Sequence, residues 1–322
     1  MSAVTTTSVP VPASIPANDP ATADRRTGTS TPTATLLSGL SGALAMVCVG
    51  GSVAVSAALA AAPVLTAQAL RYAAACLLLL LFARLGRRQI VRPRGAEWWW
   101  LLGITGRGLF LFNIALVAGS EHAEPAVLGV AVACVPLILG VSGPLLEGRR
   151  PSPVTLGAAL VVTAGAALVQ GGGRSDAIGL AWALVVLGCE VAFTLMAVPV
   201  LRRLGPWGVS VHTTWLAAVL FAVTGVLHEG PAAVTTLTAD QVLATGYLAV
   251  AVTALAFVLW YHSVGRLGVA RAGLLTGIAP VAAAAGGMAL GAAAPRPLVW
   301  LGITVVGVGL GLGLSSGRPQ PS

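Results

Sequence analysis

Lysine is absent from this sequence: all 18 basic residues are arginine, set against only ten acids in 322 residues. Charged residues make up 9% of the chain, where soluble domains carry roughly 25%. That deficit excludes an ordinary water-soluble globular domain. Cysteine is also sparse. Cys48, Cys76, Cys134 and Cys189 are far apart in the chain, and each lies in an apolar run without a histidine partner. They read as small core residues, and neither a disulfide framework nor a metal site is expected. The sequence also lacks a phosphate-cradling glycine loop in a strand–helix setting, paired metal ligands at helical spacing and a GxSxG turn. No catalytic set, metal or cofactor is therefore expected, and no nucleotide-hydrolysing domain to drive a pump.

What fills the chain instead is apolar. Hydrophobic residues account for 57% of it, and the mean hydropathy is +0.91. Ten apolar stretches are each long enough to cross a hydrocarbon core of about 30 Å. They lie near residues 34–59, 63–84, 98–118, 125–146, 152–171, 177–201, 207–228, 241–264, 269–292 and 297–315. The predicted fold class is an all-α integral membrane protein with ten transmembrane helices in contact with the lipid bilayer. The 40 glycines fit this reading, because membrane helices approach one another through small residues. Residues 1–33 are rich in Ser, Thr, Pro and Ala and lack aromatics, so a disordered cytoplasmic tail without a secretory signal is expected there. Residues 316–322 form a second short tail.

The net charge of +8 does not point to nucleic acid, because the arginines sit in short clusters between apolar runs. With the N-terminus inside, fourteen fall on the inner side and only Arg174 and Arg296 on the outer. That bias places both termini in the cytoplasm, in the cytoplasmic membrane. Glu121, Glu124, Asp176, Glu229 and Asp240 fall outside, and the Trp98-Trp99-Trp100 run sits at the inner boundary as an interfacial belt.

The stretch Tyr247–Gly287 is two apolar runs joined by GRLGVAR, and Leu101–Gly143 is a loose echo of it. Thr105 answers Thr253, and Pro136 answers Pro280, although the first copy is about four residues longer between Ala115 and Pro136. Five spans per half is an odd number, so residues 34–171 and 177–315 form two inverted five-helix repeats, the plan of secondary transporters with a midplane site.

The residues that carry a family resemblance are Arg71-Tyr72 in LTAQALRYAAACLLLLL after Pro63, Asn113-Ile114-Ala115-Leu116, and LAFVLWYHSVGRLGVARAGLLTGIAPV. The Gly-punctuated TLGAALVVTAGAALV and LGITVVGVGLGLGL belong with them. Together, from about Leu36 to Leu314, the chain resembles a ten-helix transporter of the drug/metabolite superfamily built from two EamA-type repeats. The resemblance implies export of a small metabolite or drug. Where that family often ends its fourth and ninth helices with Gly-Glu-Arg, this chain has Glu147-Gly148-Arg149-Arg150 and Gly291-Ala-Ala-Ala-Pro295.

Three ionisable groups lie deep in spans, where each costs at least about 2.5–3.5 kcal/mol if it faces lipid. Arg71 is about 12 Å below the outer boundary, Arg107 about 13 Å above the inner one and Glu190 about 20 Å below the outer one, which allows a single polar layer. Each arginine is either a structural anchor or a fixed charge for a carboxylate or other anionic group of a substrate. Glu190 either pairs permanently with Arg71 or Arg107, or releases the pair to carry protons. Tyr72, Asn113, Thr194, Trp260 and Tyr261 complete the candidate substrate-binding and coupling set. The expected activity is secondary transport by alternating access, with proton coupling and oligomeric state both open. The alternatives are a membrane enzyme acting on lipid-linked substrates and a non-transporting scaffold or sensor.

Overall fold

The structure, a computed structural model, describes residues 32–52, 55, 58–289 and 295–315. The expected tails apart from Pro32 and Thr33, which begin the first helix, together with Arg25, Arg26, Arg318 and most of the Gly291–Pro295 turn, therefore lie outside the described residues. Among those described, the chain is helix joined by turns and short irregular loops such as residues 88–94, apart from an isolated antiparallel bridge between Ala123 and Ser175.

Ten helices are long and apolar enough to cross a membrane. They are α1 (Pro32–Gly51), α2 (Val64–Leu85), α3 (Glu97–Ser120), α4 (Pro125–Leu146), α5 (Pro153–Gln170), α6 (Ala177–Leu195), α7 (Val198–His228), α8 (Ala239–Leu267), α9 (Val269–Ala289) and α10 (Pro297–Ser315). Leucines such as Leu77, Leu184 and Leu243 point outward from the bundle, the arrangement a hydrocarbon surround stabilises. With ten crossings, the start of α1 and the end of α10 lie on one side, called here the terminal side; the opposite face is the far side.

Two boundaries correct the sequence expectation. The sixth span ends at Leu195 rather than running to residue 201, and a new helix begins at Val198. Pro199 explains the break: it has no N–H to donate, so it suits the first turn of a helix and not its interior. The following stretch is interrupted at Gly205, whose φ of 68° and ψ of 172° are open to glycine alone, and Pro206 then starts the membrane-crossing part of α7.

Small residues set the packing. α5 and α10 cross so closely that a Cβ on Gly165 would lie 2.7 Å from the backbone nitrogen of Val306, and one on Gly302 would lie 2.7 Å from the Gly165 carbonyl oxygen. The glycine punctuation of both helices is thus a requirement of backbone contact. α2 packs along α7. α1 packs on α8 and α9, and α6 packs on α3 and α4, so each half sends its first helix into the other. α4 and α9 meet on the terminal side, where a Cβ on Gly143 would come within 2.8 Å of Val269 and one on Gly273 within 2.8 Å of Leu139. The far-side halves of the same helices, residues 125–133 and 278–289, have no comparable packing.

Helix ends explain several polar residues. Pro63 stands at the N-cap of α2 and offers no side-chain acceptor. Glu229, at the end of α7, replaces it: its carboxylate accepts from Leu65 N (2.8 Å), Thr66 N (2.8 Å) and Thr66 Oγ1 (2.7 Å). These are the N2 and N3 amides that a local cap would satisfy. Thr238 and Gln241 form a capping box at the start of α8. On the far side, Asp176 caps α6 through Gly179 N (2.7 Å) and also meets His122 Nδ1 at 2.9 Å. His122, which reads in the sequence as a plain loop residue, therefore joins two loops. Arg174 pairs with Glu124 (3.0 Å) beside it. The Gly179 amide, followed by His122, holds the Asp176 carboxyl below its ordinary pKa, and Arg174 does the same for Glu124.

On the terminal side Trp99 and Trp100 are exposed, while Trp98 packs edge-on against His212 and Trp215 at 6.1 and 6.2 Å. His212 is bonded rather than simply hydrated: Nδ1 accepts from Trp215 Nε1 (3.2 Å), which leaves Nε2 to donate to the Val91 carbonyl (3.0 Å). Glu97 pairs with Arg203, which also reaches the Arg92 carbonyl.

Candidate functional site

The polar residues of α2 sit one helical turn apart. Gln68 and Arg71 are i and i+3, so both project from one face, with Tyr72 beside them. Arg71 Nε donates to Thr253 Oγ1 of α8 (2.7 Å), and Arg71 Nη1 donates to Gln68 Oε1 (3.2 Å). Gln68 Nε2 then donates to Asn113 Oδ1 of α3 (2.7 Å). The Asn113 amide donates in turn to the Leu109 carbonyl (2.7 Å) and more distantly to Tyr72 Oη (3.4 Å). One chain of hydrogen bonds thus links α2 to α3 of the first half and to α8 of the second.

A guanidinium carries five N–H donors. The two bonds of Arg71 leave three without a protein acceptor among the described residues. The group is half-buried in mid-span and lies over the Tyr72 ring at 5.1 Å. Tyr72 is fully buried and stacks on Phe221 of α7, with centroids 5.5 Å apart and planes 11° from parallel.

The second half supplies the other wall. Trp260 Nε1 donates to Thr194 Oγ1 (3.2 Å), and Tyr261 Oη donates to the Phe193 carbonyl at a long 3.5 Å. The Phe193 ring packs on Phe257 and Tyr261 at 4.9 and 5.2 Å, forming an aromatic cluster between α6 and α8. Glu190 is half-buried one turn before Thr194, within electrostatic range of both Tyr72 and Tyr261. It makes no hydrogen bond or ion pair among the described residues. The expected pair with Arg71 or Arg107 is therefore not formed in this structure.

Of the residues singled out in the sequence, Arg71, Tyr72 and Asn113 share one hydrogen-bonded chain, Thr194 and Trp260 a second contact, and Glu190 is within electrostatic range of Tyr72 in the first group and of Tyr261 beside the second. Arg107 is within electrostatic range of Cys189, the neighbour of Glu190, but faces differently from Arg71. Around it the buried positions of α3 are Leu101, Ile104, Thr105, Gly108 and Leu109, continued by Asn113, and Arg107 falls off this stripe and is exposed. It makes no hydrogen bond or ion pair among the described residues.

Two members of the site went unnoticed in the sequence. Gln68 was legible as a polar residue one turn from Arg71, and Thr253 was read only as the echo of Thr105. Both threonines lie in π-helical stretches, Ile104–Leu111 in α3 and Leu248–Leu255 in α8. Such wide turns often mark functional segments. Thr105 Oγ1 reaches the Thr213 carbonyl of α7 at 3.4 Å, as Thr253 reaches α2.

Comparison with known proteins agrees with this architecture. Residues 36–170 match the EamA-like transporter family. A protein described as the uncharacterized transporter YetK of Bacillus subtilis (strain 168) is 28% identical over 256 residues, covering 75% of this chain and 76% of that protein. The uncharacterized transporter YdeK of the same organism is 30% identical over 173 residues, covering 52% of this chain and 59% of the relative. A solved crystal structure superposes with a TM-score of 0.75 at 21% identity, over 87% of this chain and 97% of that one, which speaks to the fold alone.

Proposed function

We propose that this membrane transporter, whose residues 36–170 belong to the EamA-like transporter family, exports a small metabolite or drug carrying a carboxylate or other anionic group. The observation that carries the reading is Arg71, a half-buried mid-span cation with three N–H donors left over. A carboxylate fits a planar fork of donors in a bidentate manner. The aromatic cluster of Phe193, Phe257 and Tyr261 would cover the apolar part of such a substrate.

Alternating access is the proposed route. Its supports are the exchange of first helices between halves, the matching π-helical stretches of α3 and α8, and the contact of α4 with α9 on the terminal side only. The arginine bias supports assigning the terminal side to the cytoplasm. On that reading, the site is closed to the cytoplasm and faces outward.

Glu190 is the proposed coupling acid. Unpaired here, it would meet Arg71 in the inward-facing state, and a substrate carboxylate competing for that arginine would return it to its protonated form. Proteoliposomes with an imposed pH gradient test both assignments on a panel of anionic and neutral metabolites. Arg71→Gln should slow transport of the anionic substrate about 10- to 100-fold, the worth of contacts to a charged group. Glu190→Gln should keep substrate-for-substrate exchange but lose the response to the pH gradient. Full proton-driven transport in Glu190→Gln removes it from coupling, and undiminished transport in Arg71→Gln removes the anionic site.

A further inference from the structure

The Glu147-Gly148-Arg149-Arg150 turn plays no part in the site above, yet it borders a cavity of about 340 Å³ on the terminal side. The cavity lies where the α4–α5 connection faces the α8–α9 turn, so residues from both halves line it. Arg149 and Arg150 come from the first half and Arg271 from the second. Against them stands Glu147, so the lining carries a net charge of +2. Glu147 pairs with Arg149 and rests against Gly268, where an added Cβ would lie 3.8 Å from its Oε1. Arg150 and the half-buried Arg271 have no ion pair or hydrogen bond among the described residues.

The floor of the cavity is the start of α5, a helix of 18 residues. Its N-cap Ser152 makes no side-chain capping bond, and Pro153 fills N1, so the amides of the first turn have no local cap. Thr155, at N3, lines the cavity although only 7% exposed, and its hydroxyl has no hydrogen-bond partner among the described residues. An uncapped helix start, the hydroxyl of a largely buried threonine that opens onto the cavity and two unpaired guanidinium groups share one requirement, a compact anion with several acceptor oxygens.

We infer that this cavity binds a phosphate group, held by Arg150, Arg271, Thr155 and the first turn of α5. The group belongs either to an anionic lipid of the adjoining leaflet or to a soluble phosphate. The cavity is formed where α4 meets α9 through Gly143, Val269, Leu139 and Gly273. Occupancy therefore favours the arrangement with the terminal side closed, because a ligand shifts a protein towards the state that binds it better.

The test uses the full chain, purified in neutral detergent at constant ionic strength. Melting temperature and native mass spectrometry are read with phosphatidic acid or phosphatidylglycerol, with inorganic phosphate balanced against chloride, and with a galactosyl diacylglycerol whose headgroup has no phosphate. Retention and stabilisation by the two phospholipids, but not by the galactolipid or inorganic phosphate, support the site with a lipid source. Stabilisation by inorganic phosphate alone supports it with a soluble source. In either case Arg150→Gln with Arg271→Gln should weaken the effect about tenfold or more, and Thr155→Val should weaken it several-fold without the loss of a charge. Thr155→Val keeps the test decisive if the double variant does not fold. The inference is overturned if no phosphate-bearing ligand stabilises the protein, or if stabilisation persists unchanged in Thr155→Val and in every folded arginine variant.

Discussion

Removing the Glu229 carboxylate should destabilise the protein far more than an acid at the end of a span would suggest. Its two oxygens accept three hydrogen bonds from Leu65 and Thr66 across 164 and 163 residues of chain. No side chain local to α2 can substitute, because the N-cap position is Pro63. Loss of a cap costs about 0.5–2 kcal/mol, and the charge at a helix N-terminus adds about 0.3–1 kcal/mol. These terms overlap, so Glu229→Ala should cost about 2 kcal/mol. For a chain of 322 residues that lowers the melting temperature by about 3 °C. Glu229→Gln keeps one carbonyl acceptor and should lose roughly half as much. Thr66→Val removes one of three donors and should cost about 1 kcal/mol. Combined with Glu229→Ala it should add little, since both changes remove the same interaction. Thermal unfolding followed by tryptophan fluorescence in detergent reads all four proteins. A Glu229→Ala variant melting within about 1 °C of the parent would refute the assignment of Glu229 as the cap of α2.

Other outcomes follow from the same geometry. Gly165→Val should lower the melting temperature by several degrees, about 1–3 kcal/mol of overpacking against the Val306 backbone, while Gly157→Val, with nothing within 4 Å, should not. Arg107→Gln should leave transport near the parent rate in proteoliposomes, because Arg107 is exposed and shares no bond with the site. The loop ties at Asp176 and Glu124 have a defined pH response. Their folded carboxyls titrate below the ordinary values of 3.8 and 4.5, so the stabilisation is complete above those values and is lost as pH falls through the folded ones. Amide protection over residues 121–124 and 174–179, corrected for intrinsic exchange, should stay flat from about pH 8 to 5 and decline only below about pH 4.

The ten spans were legible because a hydrocarbon core asks for one thing, a long run of apolar residues, and the chain supplies ten. Which way a residue faces was not legible. A helix apolar on every side carries no stripe to orient it, so Arg71 and Arg107 looked equivalent although one enters the bundle and the other leaves it. Contacts across more than a hundred residues, such as Glu229 with Thr66 or Arg71 with Thr253, have no trace in local patterning. The π-helical stretches were equally hidden, since their residues read as ordinary helix. The end of α6 was recoverable: Pro199 marked it, and the apolar run around it masked the signal.

The backbone seam between α5 and α10 bears on how the chain is made. During synthesis α5 is complete well before α10, the last of the ten helices, leaves the ribosome. Until then Gly165 and its neighbours form an open furrow that only lipid chains or a borrowed helix can line. The first half therefore acquires its final surface only once α10 has been made rather than at its own completion. A message truncated before residue 297 would leave that furrow without its partner, and quality-control proteases would meet a chain with most of its helices in place and its central groove bare.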